Sequence, residues 1–221
     1  LDEAVEAAAF SAFFNQGQIC MSADRILVDN KVASTFLDKL ATKTATLRAA
    51  HADAPLTGMI DAAAATRVAA MLDDARQRGA TVTQSSSAVQ GNLLQPAIVD
   101  GVTPAMRVYQ EESFGPIVSI LRFDSDEEAI RLANDSEYGL SSAVFSRDIG
   151  RAMAVARQIE SGICHINGPT VHDEAQMPFG GTKAAATGAL AARRPSRSSR
   201  SCAGSRSRPR PATTRSDRSS A

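Results

Sequence analysis

Cys20 is the side chain in this 221-residue sequence best placed to do chemistry, in the stretch Phe13-Phe14-Asn15-Gln16-Gly17-Gln18-Ile19-Cys20. A cysteine nucleophile needs thiolate character, backbone donors aimed at a developing oxyanion, and room for a substrate. Gly17 permits close approach or an unusual backbone angle, and Gln18 can orient polar neighbours. On these residues alone, a buried thiol acting as a small apolar side chain is the simpler reading. Cys20, Cys164 and Cys202 form neither a metal-ligand spacing nor a disulfide framework, which fits a reducing cytoplasm. His172 and Asp173 raise an alternative, a Cys-His-Asp hydrolase, because such groups meet in space rather than in sequence. That alternative requires His172→Ala to abolish thiol reactivity.

Continued through Met21-Ser22-Ala23-Asp24-Arg25, the cysteine segment resembles the active-site cysteine motif of the aldehyde dehydrogenase superfamily. Glu111-Glu112-Ser113-Phe114-Gly115-Pro116 resembles that family's cofactor-contacting motif, and Met177-Pro178-Phe179-Gly180-Gly181-Thr182-Lys183 its Pro-Phe-Gly-Gly motif. The three follow in the family's order, and the resemblance runs from the first residue to about Lys183. It implies that the Cys20 thiolate attacks an aldehyde, that hydride passes to NAD or NADP, and that water hydrolyses the resulting thioester. It further implies that Glu112 and Phe114 contact the nicotinamide end of the cofactor, and that Ile19, Met21 and Phe179 line the substrate space. Without it, Glu112 reads as a solvated carboxylate, and Phe114, Ile19, Met21 and Phe179 as ordinary core. Cys164-His165-Ile166-Asn167-Gly168-Pro169 and the residues to Gln176 particularly resemble members that oxidise aromatic aldehydes such as salicylaldehyde, benzaldehyde and vanillin. The family's general-base glutamate, its second oxyanion donor and its amino-terminal dinucleotide-binding domain have no counterpart in this sequence. The alternative expectation is therefore a truncated relic without turnover.

The elements that must position these residues alternate between strand and helix. Leu1 to Phe14, Lys31 to Leu47, Ala62 to Arg78, Ser125 to Ala133 and Asp148 to Ile159 carry helical periodicity or helix-opening signals. Arg25–Asp29, Ile117–Leu121, Leu140–Phe145 and Gly162–Ile166 read as short strands, with Asn15–Ser22 as an irregular turn. The expectation is an α/β catalytic domain over 1–188 with a largely parallel sheet, as the resemblance also implies.

Residues 189–221 differ: nine arginines against one acid, Asp217, give +8, and the remainder carries −8 under a neutral total. Ser, Arg, Pro and Ala dominate there, so disorder is expected, with nucleic-acid binding disfavoured against a frame-shifted origin near Ala184. At Lys183-Ala184-Ala185-Ala186-Thr187-Gly188 the family's continuing pattern is lost, and its subunit-pairing strand is not recognisable. Leu1 stands where an initiator methionine would, which suggests a fragment; neither a signal peptide nor a membrane-spanning run is visible. The expected partner is a small aldehyde.

Overall fold

The computed structural model describes residues 1–50, 54–187 and 202–204. In chain order its elements are α1 (Asp2–Phe13), β1 (Arg25–Asp29), α2 (Asn30–Thr46), α3 (Ala62–Gln77), β2 (Thr81–Gln84), β3 (Ala97–Asp100) and α4 (Arg107–Gln110). They continue as β4 (Ile117–Phe123), α5 (Asp126–Asn134), β5 (Ser141–Val144), α6 (Ile149–Ala156), β6 (Ile163–Ile166) and β7 (Cys202–Gly204).

Side-chain caps start most of the helices. Asp29, Asp61, Ser125 and Asp148 each accept a hydrogen bond from a backbone N–H in the first turn of α2, α3, α5 and α6 respectively. Each cap satisfies a donor that the helix itself leaves unpaired. α3 closes before Gly79, whose φ of +93° takes the chain out of the helix.

The strands form two sheets. The first has the order β1-β4-β3-β2, with β1, β4 and β3 parallel and β2 antiparallel at the far edge. The second has the order β5-β6-β7 and is parallel throughout. In the first sheet, successive residues face opposite layers. Ile98, Val118 and Ile120 pack with Phe13 of α1 and with Phe36 and Leu40 of α2. Ala97, Val99 and Ile117 pack with Val68, Met71 and Leu72 of α3. A sheet covered on both faces needs continuous apolar strands, which explains why Ile117–Leu121 reads as an unbroken buried run. Leu40 is completely buried, a burial that contributes about 1.5–3 kcal/mol. The second sheet packs Cys164 and Ile166 of β6 on Ala152 and Ala156 of α6.

The α/β class, the largely parallel sheet and the elements read from sequence are present, with ends shifted by a few residues. β2, β3 and α4 are additions to that reading. Within 189–221, where disorder is expected, Cys202–Gly204 instead pairs its backbone with the open edge of β6 and makes a strand. The rest of that segment lies outside the described residues. No helix among the described residues is long and apolar enough to cross a membrane.

Candidate active site

After α1 the chain turns through Asn15, Gln16 and Gly17, three consecutive residues with positive φ. Gly17 is required here by space as well as by angle: a Cβ on it would lie 2.2 Å from the Gly115 carbonyl oxygen. Two motifs nearly a hundred residues apart thus touch backbone to backbone. The Gln18 side chain accepts a hydrogen bond from the Ile60 N–H (2.9 Å), fixing the loop that leads into α3. A tight turn follows, with the Ser22 N–H donating to the Ile19 carbonyl (2.8 Å), and it leaves Cys20 exposed.

Asp24 joins the cysteine turn to the second motif. Its Oδ1 accepts from the Ser113 hydroxyl and from the Ser113 N–H (3.2 Å), and its carbonyl accepts from the Ser119 N–H (2.9 Å). The Arg67 guanidinium donates to the Ser113 carbonyl at 2.5 Å, so Ser113 is held from both sides. Burial pushes the Asp24 carboxyl above its ordinary pKa against the opposing effect of the Ser113 hydrogen bonds and the nearby arginines. Glu112 is also held above its usual value, first by burial and then by the like charge of Asp24. Its neighbour Glu111 behaves oppositely: it pairs with Arg107 at 2.7 Å and is pulled down. Both glutamates line one cavity, Glu111 engaged in its ion pair with Arg107 and Glu112 raised by burial and by Asp24.

That cavity has a volume of about 940 Å³, and Cys20, Glu112 and Phe179 all line it. Ile19, Met21 and Phe114 are not among its lining residues. Phe114 has a positive φ of 44° and is 38% exposed, beside the buried Ser113 and Gly115. The third motif is anchored by close packing, since a Cβ on Gly162 would lie 1.8 Å from the Gly180 carbonyl oxygen. Thr170, in the loop after β6, ties this region to the cysteine turn. Its Oγ1 donates to the Met21 carbonyl (2.7 Å) and its N–H donates to Ser11 Oγ on α1 (3.0 Å).

His172 does not join Cys20. It lies exposed 3.6 Å from Glu174, with its ring edge-on to His165, and neither it nor Asp173 lines the cavity. No cluster of three or more potential metal ligands occurs among the described residues. Sequence reasoning assigned no role to Asp24, Arg67, Ser11 or Thr170. The advance signals were that Asp24 lies inside the cysteine segment and Thr170 inside the run from Cys164 to Gln176.

Comparison with known proteins gives this geometry its context. The sequence model described as Aldehyde dehydrogenase family matches residues 1–197, nine residues past the boundary expected at 188. A vanillin dehydrogenase of Pseudomonas fluorescens is 55% identical over 193 residues, covering 86% of this chain and 40% of that protein. The crystal structure of a salicylaldehyde dehydrogenase from Pseudomonas putida G7, complexed with salicylaldehyde, superposes with a TM-score of 0.78 at 45% identity, covering 82% of this chain and 38% of that one. An NADP-dependent glyceraldehyde-3-phosphate dehydrogenase from Bacillus halodurans C-125, complexed with NADP, gives 0.80 at 36% identity, covering 83% and 39%. The chain spans about 40% of the length of the curated relatives it matches.

Proposed function

Because the chain belongs to the aldehyde dehydrogenase family, we propose that it serves the oxidation of an aromatic aldehyde to the carboxylic acid, with Cys20 as nucleophile and NAD or NADP as hydride acceptor. The observation that carries this reading is the single cavity shared by Cys20, Glu112 and Phe179, three residues drawn from three distant motifs.

The Cys20 sulfur adds to the aldehyde carbon and forms a thiohemiacetal; the backbone N–H of Cys20 is this chain's own donor for the oxyanion. The bound cofactor supplies a two-electron acceptor for the hydride that leaves this carbon. The resulting thioester is cleaved by water, which releases the acid and returns the thiol. Glu112 fits the cofactor's ribose, since a carboxylate accepts from two neighbouring hydroxyls and this one faces the cavity. Phe114 offers an exposed ring to an apolar ring face. Asp24 acts through Ser113: it sets where Glu112 and Phe114 stand relative to the cysteine turn. Phe179 contributes an apolar wall suited to an aromatic ring. The relative at 55% identity is a vanillin dehydrogenase, which supports the aromatic class.

A second reading is favoured by the 40% coverage of the relatives: a folded portion that binds but does not turn over. NAD(P)H formation from vanillin, salicylaldehyde or benzaldehyde, followed at 340 nm with Cys20→Ser alongside, separates the two. Turnover lost by at least a hundredfold in Cys20→Ser supports the proposal. A folded protein that forms no NAD(P)H supports the second reading, and turnover that survives Cys20→Ser overturns the assignment of the nucleophile.

A further inference from the structure

Cys20 occupies the second position of the turn Ile19-Cys20-Met21-Ser22, so the direction of its thiol and of its backbone N–H follows from how the peptide units of that turn are held. The unit joining Met21 to Ser22 is gripped at both ends. Its N–H donates to the Ile19 carbonyl (2.8 Å), which closes the turn, and its carbonyl accepts from Thr170 Oγ1 (2.7 Å). The first contact is local, whereas the second crosses 149 residues of sequence. One residue further on, the Ala23 N–H donates to the Ser11 carbonyl (3.0 Å). Ser11, buried within α1, also accepts from the Thr170 N–H through its Oγ (3.0 Å). Three hydrogen bonds thereby close a ring through α1, the cysteine turn and the loop after β6.

Thr170 is itself held firmly enough to do this. Asn167, at the start of its loop, exchanges two hydrogen bonds with the backbone of Ser146: its Oδ1 accepts from the Ser146 N–H and its Nδ2 donates to the Ser146 carbonyl, both at 2.9 Å. Pro169 fixes its own φ and restricts Gly168 before it. The Thr170 carbonyl accepts from Ser141 Oγ of β5 (2.9 Å). Every polar atom of Thr170 is thus engaged, each with a different segment, and its branched Cβ limits the rotamers open to the hydroxyl.

We infer that Thr170 is a positioning residue for Cys20: by holding the Met21 carbonyl it keeps the turn in the orientation that presents the thiol and the Cys20 N–H to one substrate carbonyl. The inference rests on Cys20 being the nucleophile. Ser11, Cys20, Thr170 and Phe179 line the same cavity, so the loop that walls the substrate space also secures the attacking group. Attack on a carbonyl needs the sulfur and an oxyanion donor in register, while displacement at a saturated carbon needs the sulfur alone. A loosened turn therefore loses the first reaction more than the second. A hydroxyl that served only the stability of the fold would change neither rate, or both together.

The test compares two reagents on the full chain without cofactor. With p-nitrophenyl acetate, the Cys20 sulfur bonds to the acetyl carbon and p-nitrophenolate leaves with the electron pair of the broken ester bond. With iodoacetamide, the sulfur displaces iodide from a saturated carbon. Peptide mass mapping assigns each adduct to Cys20, and the readout is the ratio of the acylation to the alkylation rate constant. In Thr170→Val the ratio should fall about tenfold, less than for the loss of a whole oxyanion donor, because the N–H is misdirected rather than removed. Thr170→Ser restores the hydroxyl and should hold the ratio within about twofold of wild type, while Ser11→Ala opens the ring at another corner and should lower it about threefold. If Thr170→Val does not fold, Ser11→Ala decides. An unchanged ratio in the deciding variant, or a ratio in Thr170→Ser as low as in Thr170→Val, overturns the inference and leaves the nucleophile in place. Wild-type protein that is alkylated but never acylated at Cys20 overturns the nucleophile, and the inference with it.

Discussion

Asp24 shows how a single side chain couples parts of a site that sequence keeps apart. It holds Ser113 through two hydrogen bonds, and Ser113 lies between Glu112 and Phe114. Removing it in Asp24→Ala orphans a buried N–H and hydroxyl and costs about 1–3 kcal/mol, measurable by urea unfolding. Asp24→Asn keeps an acceptor and removes the buried charge, so it should cost much less at neutral pH. Equal losses in the two variants would show that charge, not acceptance, is what Ser113 requires. Cys20, Glu112 and Phe179, which line one cavity, could be singled out beforehand because each sits in a motif whose neighbours are informative. Asp24 and Thr170 were not, because their partners lie 89 and 149 residues away and leave no local pattern. The placement of Ile19, Met21 and Phe114 away from the cavity lining was also unreadable, since it depends on backbone angles that no residue type announces.

Elements with chemical punctuation were read well, and those without it were missed. The Ser125-Asp126-Glu127-Glu128 run announces α5, and the structure adds a reciprocal contact: the Glu128 N–H donates to Ser125 Oγ, while the Glu128 carboxylate accepts from the Asp124 N–H. α5 buries none of its residues fully, so it leans on this cap more than α2 or α3 does. Ser125→Ala should lower stability by about 1 kcal/mol in thermal or urea unfolding. A loss under a few tenths would assign α5's stability to its Asp126–Arg151 pair instead. β3 spans only four residues, too few for alternation to declare itself, although Ala97, Ile98 and Val99 form the middle of the first sheet. β2 is a half-exposed edge of mixed polarity, and its position is set by pairing with β3 rather than by its own sequence.

For the whole molecule, the buried His165 makes stability depend on pH. Its Nε2 has no hydrogen-bond partner among the described residues, and burial, followed by the neighbouring His172, holds its pKa below the ordinary 6.5; Asp173 opposes this. The unfolded chain then binds the proton more readily than the folded one. This contribution is complete above about pH 6.5 and is lost progressively as pH falls below that value. Asp24 and Glu112, held above their ordinary values, act in the opposite sense, since protonation relieves them. Comparing wild type with His165→Phe cancels their effect: the fall in Tm from pH 7.5 to 5.5 should be smaller in the variant, and an equal fall would remove His165 from the account. The bond between the Thr170 N–H and Ser11 Oγ, 159 residues apart, also sets an order in time. On a ribosome adding about 5–20 residues per second, the helix before Cys20 waits roughly 10–30 s for the partner that locks it to the far loop. During that interval the thiol is already made while the turn that carries it still lacks its tie to the far loop, so the nascent chain holds its nucleophile before it holds the frame that aims it.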